Sequence, residues 1–292
     1  MVIDFHTHTF PDKMAGAALD KLSGISRLRP LTDGTAAGLA ASMARAGVDR
    51  SVVLPVATSP GQVPHVNDAA ARLNQDWGKA GLLSFACIHP DYPDWRNELA
   101  RAAGLGLRGI KLHPVYQRVP LDDPRYLRIL DRAGELDLIA VTHTGIDVGY
   151  PDLDFCAPEA ARRAVDQAGP VRLVLAHMGG WKQWEHVAEL LAGTSVYLDT
   201  SFSTGAMALL DGGQEGPEAL ALLSGETFLA LVRAFGARRI LFGTDSPWTG
   251  QAESIAWLRD LPGLTPSERT AILGGNAAAL LGLEAGTQKA EC

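Results

Sequence analysis

The chain has 292 residues, 47% of them apolar and 20% charged, with 26 Lys and Arg against 33 Asp and Glu for a net charge of −7. That balance excludes a disordered chain and argues against nucleic acid or an anionic membrane as a partner. Three cysteines, none in a CxxC pair, are too few for a disulfide scaffold, whereas eight histidines would give any bound metal imidazole and carboxylate ligands instead of thiolates.

The first residues, MVIDFHTHTF, place acid and histidine where a secretory signal needs a basic start and an apolar run. No stretch reaches the ~18 uninterrupted apolar residues of a spanning helix, so a soluble cytoplasmic protein is expected. Eight short β-rich runs then follow in order: VIDF (2–5), SVVLPV (51–56), LLSFACI (82–88), GIKLH (109–113), LIAVTH (138–143), VRLVLAH (171–177), VYLDT (196–200) and RILFGTD (239–245). Several are apolar at consecutive positions, which suits strands buried on both faces of a parallel sheet. Helical patterns begin at Thr35, Val66, Asp94, Asp123, Ala157, Lys182 and Glu226, and several stop at a glycine such as Gly47 or Gly236. AESIAWLRDL and PSERTAILGGNAAALLGL close the chain.

Eight strands alternating with helices predict an α/β fold, a single-domain (β/α)8 TIM barrel over residues 1–283. An open doubly wound sheet is the alternative, disfavoured because no GxGxxG follows a strand. Residues 11–33 and 202–225 read as loop insertions on the C-terminal face, and 284–292 as a flexible tail.

In a barrel the strand ends meet on one rim. His6 and His8 end the first strand and share a side by the i, i+2 rule. Lys111 and His113 end the fourth, His143 the fifth, His177 the sixth and Asp245 the eighth. One buried histidine is usually a hydrogen-bonded core residue; histidines at successive strand ends form the donor set a divalent ion needs. Trp181 and Trp248 lie just beyond such ends and are candidates to wall a substrate pocket, though packing would explain them equally. Asp199 is a candidate to orient a ligand histidine. His89 has no evident role, His65 and His186 read as surface groups, and Cys87 and Cys156 lack a partner motif.

The order of HxH, Lys, His, His and Asp resembles the amidohydrolase superfamily of metal-dependent barrels, and in detail its amidohydrolase 2 branch, which includes aminocarboxymuconate-semialdehyde decarboxylase-like enzymes. The stretches that carry the resemblance are DFHTHTF, GIKLHPVYQ, VTHTG, LAHMGG, YLDTS, LFGTDSPW and ILGGNAAALLGL. The resemblance implies one divalent metal, Zn2+ before Mn2+ or Fe2+, held by His6, His8, His143 and Asp245. His177 would be the acid/base residue and Asp245 would also take a proton from the attacking water. For Lys111 three readings stay open: a carboxylated bridge to a second metal that His143 and His177 would share, a contact to an anionic substrate group, or a local ion pair. His113 would line the same mouth. The implied activity is hydrolysis of an ester, lactone or amide in a small, carboxylated substrate. Nonoxidative decarboxylation is the alternative and a non-catalytic metal-bearing protein the third reading. The resemblance is also compatible with a homodimer.

Overall fold

The computed structural model describes residues 1–210 and 222–283. The expected tail, and part of the second insertion, lie outside the described residues. The described strands are β1 (Ile3–Thr7), β2 (Arg50–Val53), β3 (Leu82–Ser84), β4 (Ala86–Cys87), β5 (Gly109–Leu112), β6 (Ile139–Thr142), β7 (Arg172–Leu175), β8 (Tyr197–Asp199) and β9 (Ile240–Leu241). Every pairing between them is parallel. The third predicted run is therefore one bent strand in two halves. β3 pairs with β2 and β4 with β5, while Phe85 between them donates its N–H to the Val53 carbonyl at 2.9 Å.

Three hydrogen bonds join the last strand segment back to the first. Phe5 N–H donates to Phe242 O, Asp245 N–H to His6 O and His8 N–H to Ser246 O, each at 2.7 Å. With this seam the eight strand positions form a ring, and the fold is a TIM barrel.

Alternation along the strands divides the core in two. Ile3, Phe5, Val52, Leu54, Phe85, Ile139, Val141, Val174 and Leu241 pack together as the barrel interior, with Ala277, Leu280 and Leu281 beneath them as a plug. The interleaved residues, such as Val53, Ile110, Leu112, Leu173 and Leu175, pack outward against the helices. Each buried Leu, Ile or Val contributes roughly 1.5–3 kcal/mol, so the two layers together specify the ring. Lys111, between outward-facing Ile110 and Leu112, must point inward.

Helix ends follow sequence chemistry. Thr35 caps Ala36–Ala46 by accepting the Gly38 N–H, and Gly47 ends it in a left-handed conformation. Asp123 caps Pro124–Glu135, with proline at the first turn.

The insertion at residues 11–33 differs from expectation, because it contains a helix, Asp12–Ser26. Gly16 and Gly24 read as loop signals, yet both sit on its exposed side; Ala15, Leu19 and Ser23 form the buried stripe at i, i+4, i+8. A glycine weakens a helix by about 1 kcal/mol, which packing of such a stripe overrides. Beyond the helix, Leu28 bridges antiparallel to Leu209, so the two insertions meet over the barrel mouth.

Candidate active site

The site begins with a β-bulge. Between the pairs Asp4↔Ser51 and Thr7↔Val53, β1 spends one residue more than β2. Phe5 faces the interior, and strict alternation would turn His6 outward. The bulge re-aims it, so that His6 also faces inward toward Lys111 and Asp199. Gly243 opposite makes room: a Cβ there would stand 2.9 Å from His6 Cβ. Asp4 is left pointing outward, where Thr244 and Gln251 donate to it. Burial still raises its pKa to about 7.

Two histidines have their tautomers fixed. His6 Nδ1 lies 2.8 Å from Asp199 Oδ2, and His8 Nδ1 lies 2.8 Å from the Leu54 carbonyl. A carboxylate and a carbonyl can only accept, so each Nδ1 carries a proton and, in the neutral ring, each Nε2 presents a lone pair. Both Nε2 atoms face Asp245 Oδ1, at 3.2 Å from His6 and 2.9 Å from His8. Three acceptors thus converge within 4.8 Å of one another. Neutral imidazoles cannot hydrogen-bond a carboxylate through unprotonated nitrogens, so this donor set fits a divalent cation. Lys111 Nζ also stands 3.1 Å from His6 Nε2. Burial lowers the Lys111 pKa to about 8. Burial, reinforced by the Lys111 charge, lowers His6 to about 4 despite Asp199 beside it. Burial would raise the pKa of Asp245 too, but the imidazoles of His8, His6 and His177 around it hold its carboxyl well below the usual range.

Asp199 ties this group to His177. Besides His6, it accepts the backbone N–H groups of His177 and Ser201 and the Ser201 hydroxyl. Burial would raise its pKa, yet His6 and these donors hold it far below the ordinary value. His177 Nδ1 faces the Ser201 carbonyl at 3.0 Å, which places the proton on Nδ1 and leaves Nε2 to accept from His143 Nδ1 at 2.9 Å. Burial lowers the His177 pKa. His177 and Asp245 both have left-handed backbone, φ 59° and 66°. Such strain costs about 1–3 kcal/mol per residue and clusters at functional sites.

His143 therefore points elsewhere than the His6–His8–Asp245 group. Its ring stacks on His113 at 4.4 Å, and His113 stacks on Tyr116 at 3.9 Å. His143 Nε2 is buried without a hydrogen-bond partner, 3.9 Å from Asp147 Oδ2; His113 Nε2 is 3.8 Å from the same oxygen. Burial raises Asp147 to about 6 and holds His113 and His143 well below the ordinary histidine value. His113, His143 and Asp147 make a second cluster of potential ligands.

Above the mouth, Leu28, Trp181 and Phe202 form an apolar roof, against which Trp248 and Trp184 pack. Phe202 meets the His177 ring edge-on at 5.9 Å. His89 is buried and accepts the Asp91 N–H, and His186 is exposed beside Glu159. Cys87 and Cys156 are buried, and burial pushes both thiols up, away from thiolate chemistry. The sequence reading missed Ser201, Asp147 and Tyr116. Ser201 and Asp147 lie two and four residues beyond residues already singled out (Asp199 and His143), a spacing that could have marked them.

Among the described residues no helix is long and apolar enough to cross a membrane. Nothing among curated proteins matches the chain. Solved structures of similar fold include an uncharacterized TIM-barrel protein from Bordetella bronchiseptica, at 18% identity and TM-score 0.74, covering 97% of this chain and 98% of that one. A candidate 2-pyrone-4,6-dicarboxylic acid hydrolase from Pseudomonas putida is 19% identical with TM-score 0.64, covering 98% of each chain. A dihydroxybenzoic acid decarboxylase from Polaromonas, solved with manganese and the inhibitor 2-nitroresorcinol, is 16% identical with TM-score 0.66, again covering 98% of each chain. The model of one family, Amidohydrolase, matches residues 3–283, nearly the full length, and the chain belongs to that family of enzymes.

Proposed function

We propose that the protein is a metal-dependent hydrolase acting on a carbonyl-type bond, an ester, lactone or amide, of a small carboxylated substrate. The observation that carries this reading is the convergence of His6 Nε2, His8 Nε2 and Asp245 Oδ1, with both imidazole tautomers set from behind by Asp199 and Leu54. These three residues would hold the ion, Zn2+ being the first candidate and Mn2+ or Fe2+ the others; His143, expected as a fourth ligand, hydrogen-bonds His177 and stacks on His113. A divalent ion here supplies Lewis acidity and makes water acidic near neutral pH.

The chain's own residues supply the rest. Asp245 commits Oδ1 to the histidines and keeps Oδ2 to take the proton of the attacking water. His177, backed by the Ser201 carbonyl and paired with His143, exchanges a proton with the substrate side. A dication held beside His6 would disfavour the Lys111 ammonium further. Its lowered pKa fits a neutral amine that donates to a substrate oxygen, or one that is carboxylated as the binuclear version requires. The roof of Leu28, Trp181 and Phe202 excludes bulk water.

A nonoxidative decarboxylase is the second reading, favoured by the hydrogen-bonded His143–His177 pair, which could deliver a proton to carbon. The test is a panel of lactones, amides and hydroxybenzoates with metal-loaded enzyme in 18O-water. Label entering the product supports hydrolysis. CO2 release without label transfers the site to the second reading, and neither under metal-replete conditions overturns both.

A further inference from the structure

The Ser201 hydroxyl lies between His6 and His177, and neither the ligand set nor the proton exchange above makes use of it. Ser201 follows β8 (Tyr197–Asp199) by two residues. The N–H groups of its neighbours Thr200 and Phe202 donate to the Leu241 and Thr244 carbonyls, which ties this stretch to the last strand segment and turns Ser201 inward, 0% exposed. Gly243 opposite leaves room for the approach: a Cβ there would stand 2.9 Å from His6 Cβ and 3.4 Å from Ser201 Cβ.

A hydroxyl has one hydrogen to give and two lone pairs. The hydrogen goes to Asp199 Oδ1, which can only accept. The oxygen lies 2.9 Å from His6 Nδ1 and 3.0 Å from His177 Nδ1, both of which carry protons. Each ring proton is therefore shared between two acceptors. His6 divides its own between Asp199 Oδ2 and the hydroxyl, His177 between the Ser201 carbonyl and the hydroxyl. Every valence of the hydroxyl is spent on this bridge. Lys111 reaches His6 and His143 reaches His177, but among the described residues no other side chain lies within hydrogen-bond distance of both rings. Asp199 and the Ser201 carbonyl already hold each Nδ1 proton in place, so the hydroxyl is redundant for the tautomers. What it adds is the link.

We propose that Ser201 is a positioning residue that couples the metal ligand His6 to the acid/base His177, a role that rests on the metal-dependent reading above. An ion on His6 Nε2 fixes the ring from its free side. The fixed Nδ1–H and the Asp199 carboxylate then pin the hydroxyl, and its second lone pair stays aimed at His177 Nδ1–H. Filling the metal site thereby steadies the ring that exchanges the proton, and the empty site leaves that ring looser.

The test needs no substrate. In full-length protein with 15N-labelled histidine, NMR measures solvent exchange of the His6 and His177 Nδ1 protons with and without saturating Zn2+, the His177 signal being the one missing from His177→Asn. Zn2+ should slow exchange severalfold at both rings in the unsubstituted protein, at His6 alone in Ser201→Ala, and at both again in Ser201→Thr, which restores the hydroxyl. Ser201→Cys fills the space with a poor hydrogen-bonding group and should behave like Ser201→Ala, which guards against a folding failure of either one. The proposal is overturned if Zn2+ moves the His6 Nε2 resonance but leaves His177 exchange unchanged, or if His177 is slowed as much in Ser201→Ala or Ser201→Cys as in the unsubstituted protein. If Zn2+ leaves the His6 Nε2 resonance where it was, the metal-dependent reading fails and takes the coupling with it.

Discussion

Two clusters in the barrel mouth have the same composition, two histidines and one aspartate, and in each the ligand atoms lie within 4.8 Å of one another. Their surroundings differ. In His6–His8–Asp245 each imidazole is backed by an acceptor on Nδ1, so both Nε2 lone pairs are forced toward the carboxylate. In His113–His143–Asp147 the rings lie parallel, 11° apart, and His113 Nδ1 accepts the Tyr116 N–H, which puts its proton on Nε2. Parallel rings cannot both aim a lone pair at one ion. The lesson is that ligand types and distances do not define a metal site; the groups behind the ligands do.

The comparison can be broken by experiment. The largest effect is expected from His8→Ala, which should abolish both metal retention and turnover; His113→Ala should keep the metal, as elemental analysis would reveal. If the two variants lose metal equally, the clusters are equivalent and the contrast fails. His177→Asn should retain metal while turnover falls by about 10²–10⁴-fold, measured in steady state. Asp199→Asn removes the acceptor behind His6 and should weaken metal affinity by about 10–100-fold in competition with a chelator. Asp147→Asn should leave that affinity unchanged, which sharpens the contrast from the other side.

The smallest effect is one of pH. His6, with its pKa lowered to about 4, and His113, His143 and His177, also lowered, bind fewer protons folded than unfolded below about pH 6.5. Stability of the metal-stripped protein should therefore fall as pH drops from about 6.5 toward 4. Asp4 and Asp147, raised to about 7 and about 6, act with the opposite sign over the same range and blunt the loss. Thermal melts across that range should show a midpoint that declines with acid. A midpoint rising with acid would mean that the carboxyls outweigh the imidazoles.

Much of this was legible in the sequence. Consecutive apolar residues in LIAVTH and VRLVLAH revealed buried parallel strands, because burial on both faces leaves no polar alternation to read. The rim residues followed from being at strand ends. What could not be read depends on angles that a one-dimensional spacing does not carry. The i, i+2 rule put His6 and His8 on one side correctly, but nothing in DFHTH shows that the strand must change phase after Phe5 for that side to be the inner one. His143 ends its strand just as His177 does, and only the turn of the ring decides which neighbour it meets. The helix at residues 12–26 was hidden by its glycines, since exposed positions tolerate them.

The extra residue in β1 has a wider consequence. Upstream of it, the strand's inward positions serve packing, with Ile3 and Phe5 in the oily interior. Downstream, the inward positions serve chemistry. The bulge works as a coupling with a half-turn offset, so the two programmes need not share one alternation. Substitutions that refit the interior around Phe5 can accumulate without rotating His6 and His8, and the reactive rim can be rebuilt without disturbing the hydrophobic packing below it.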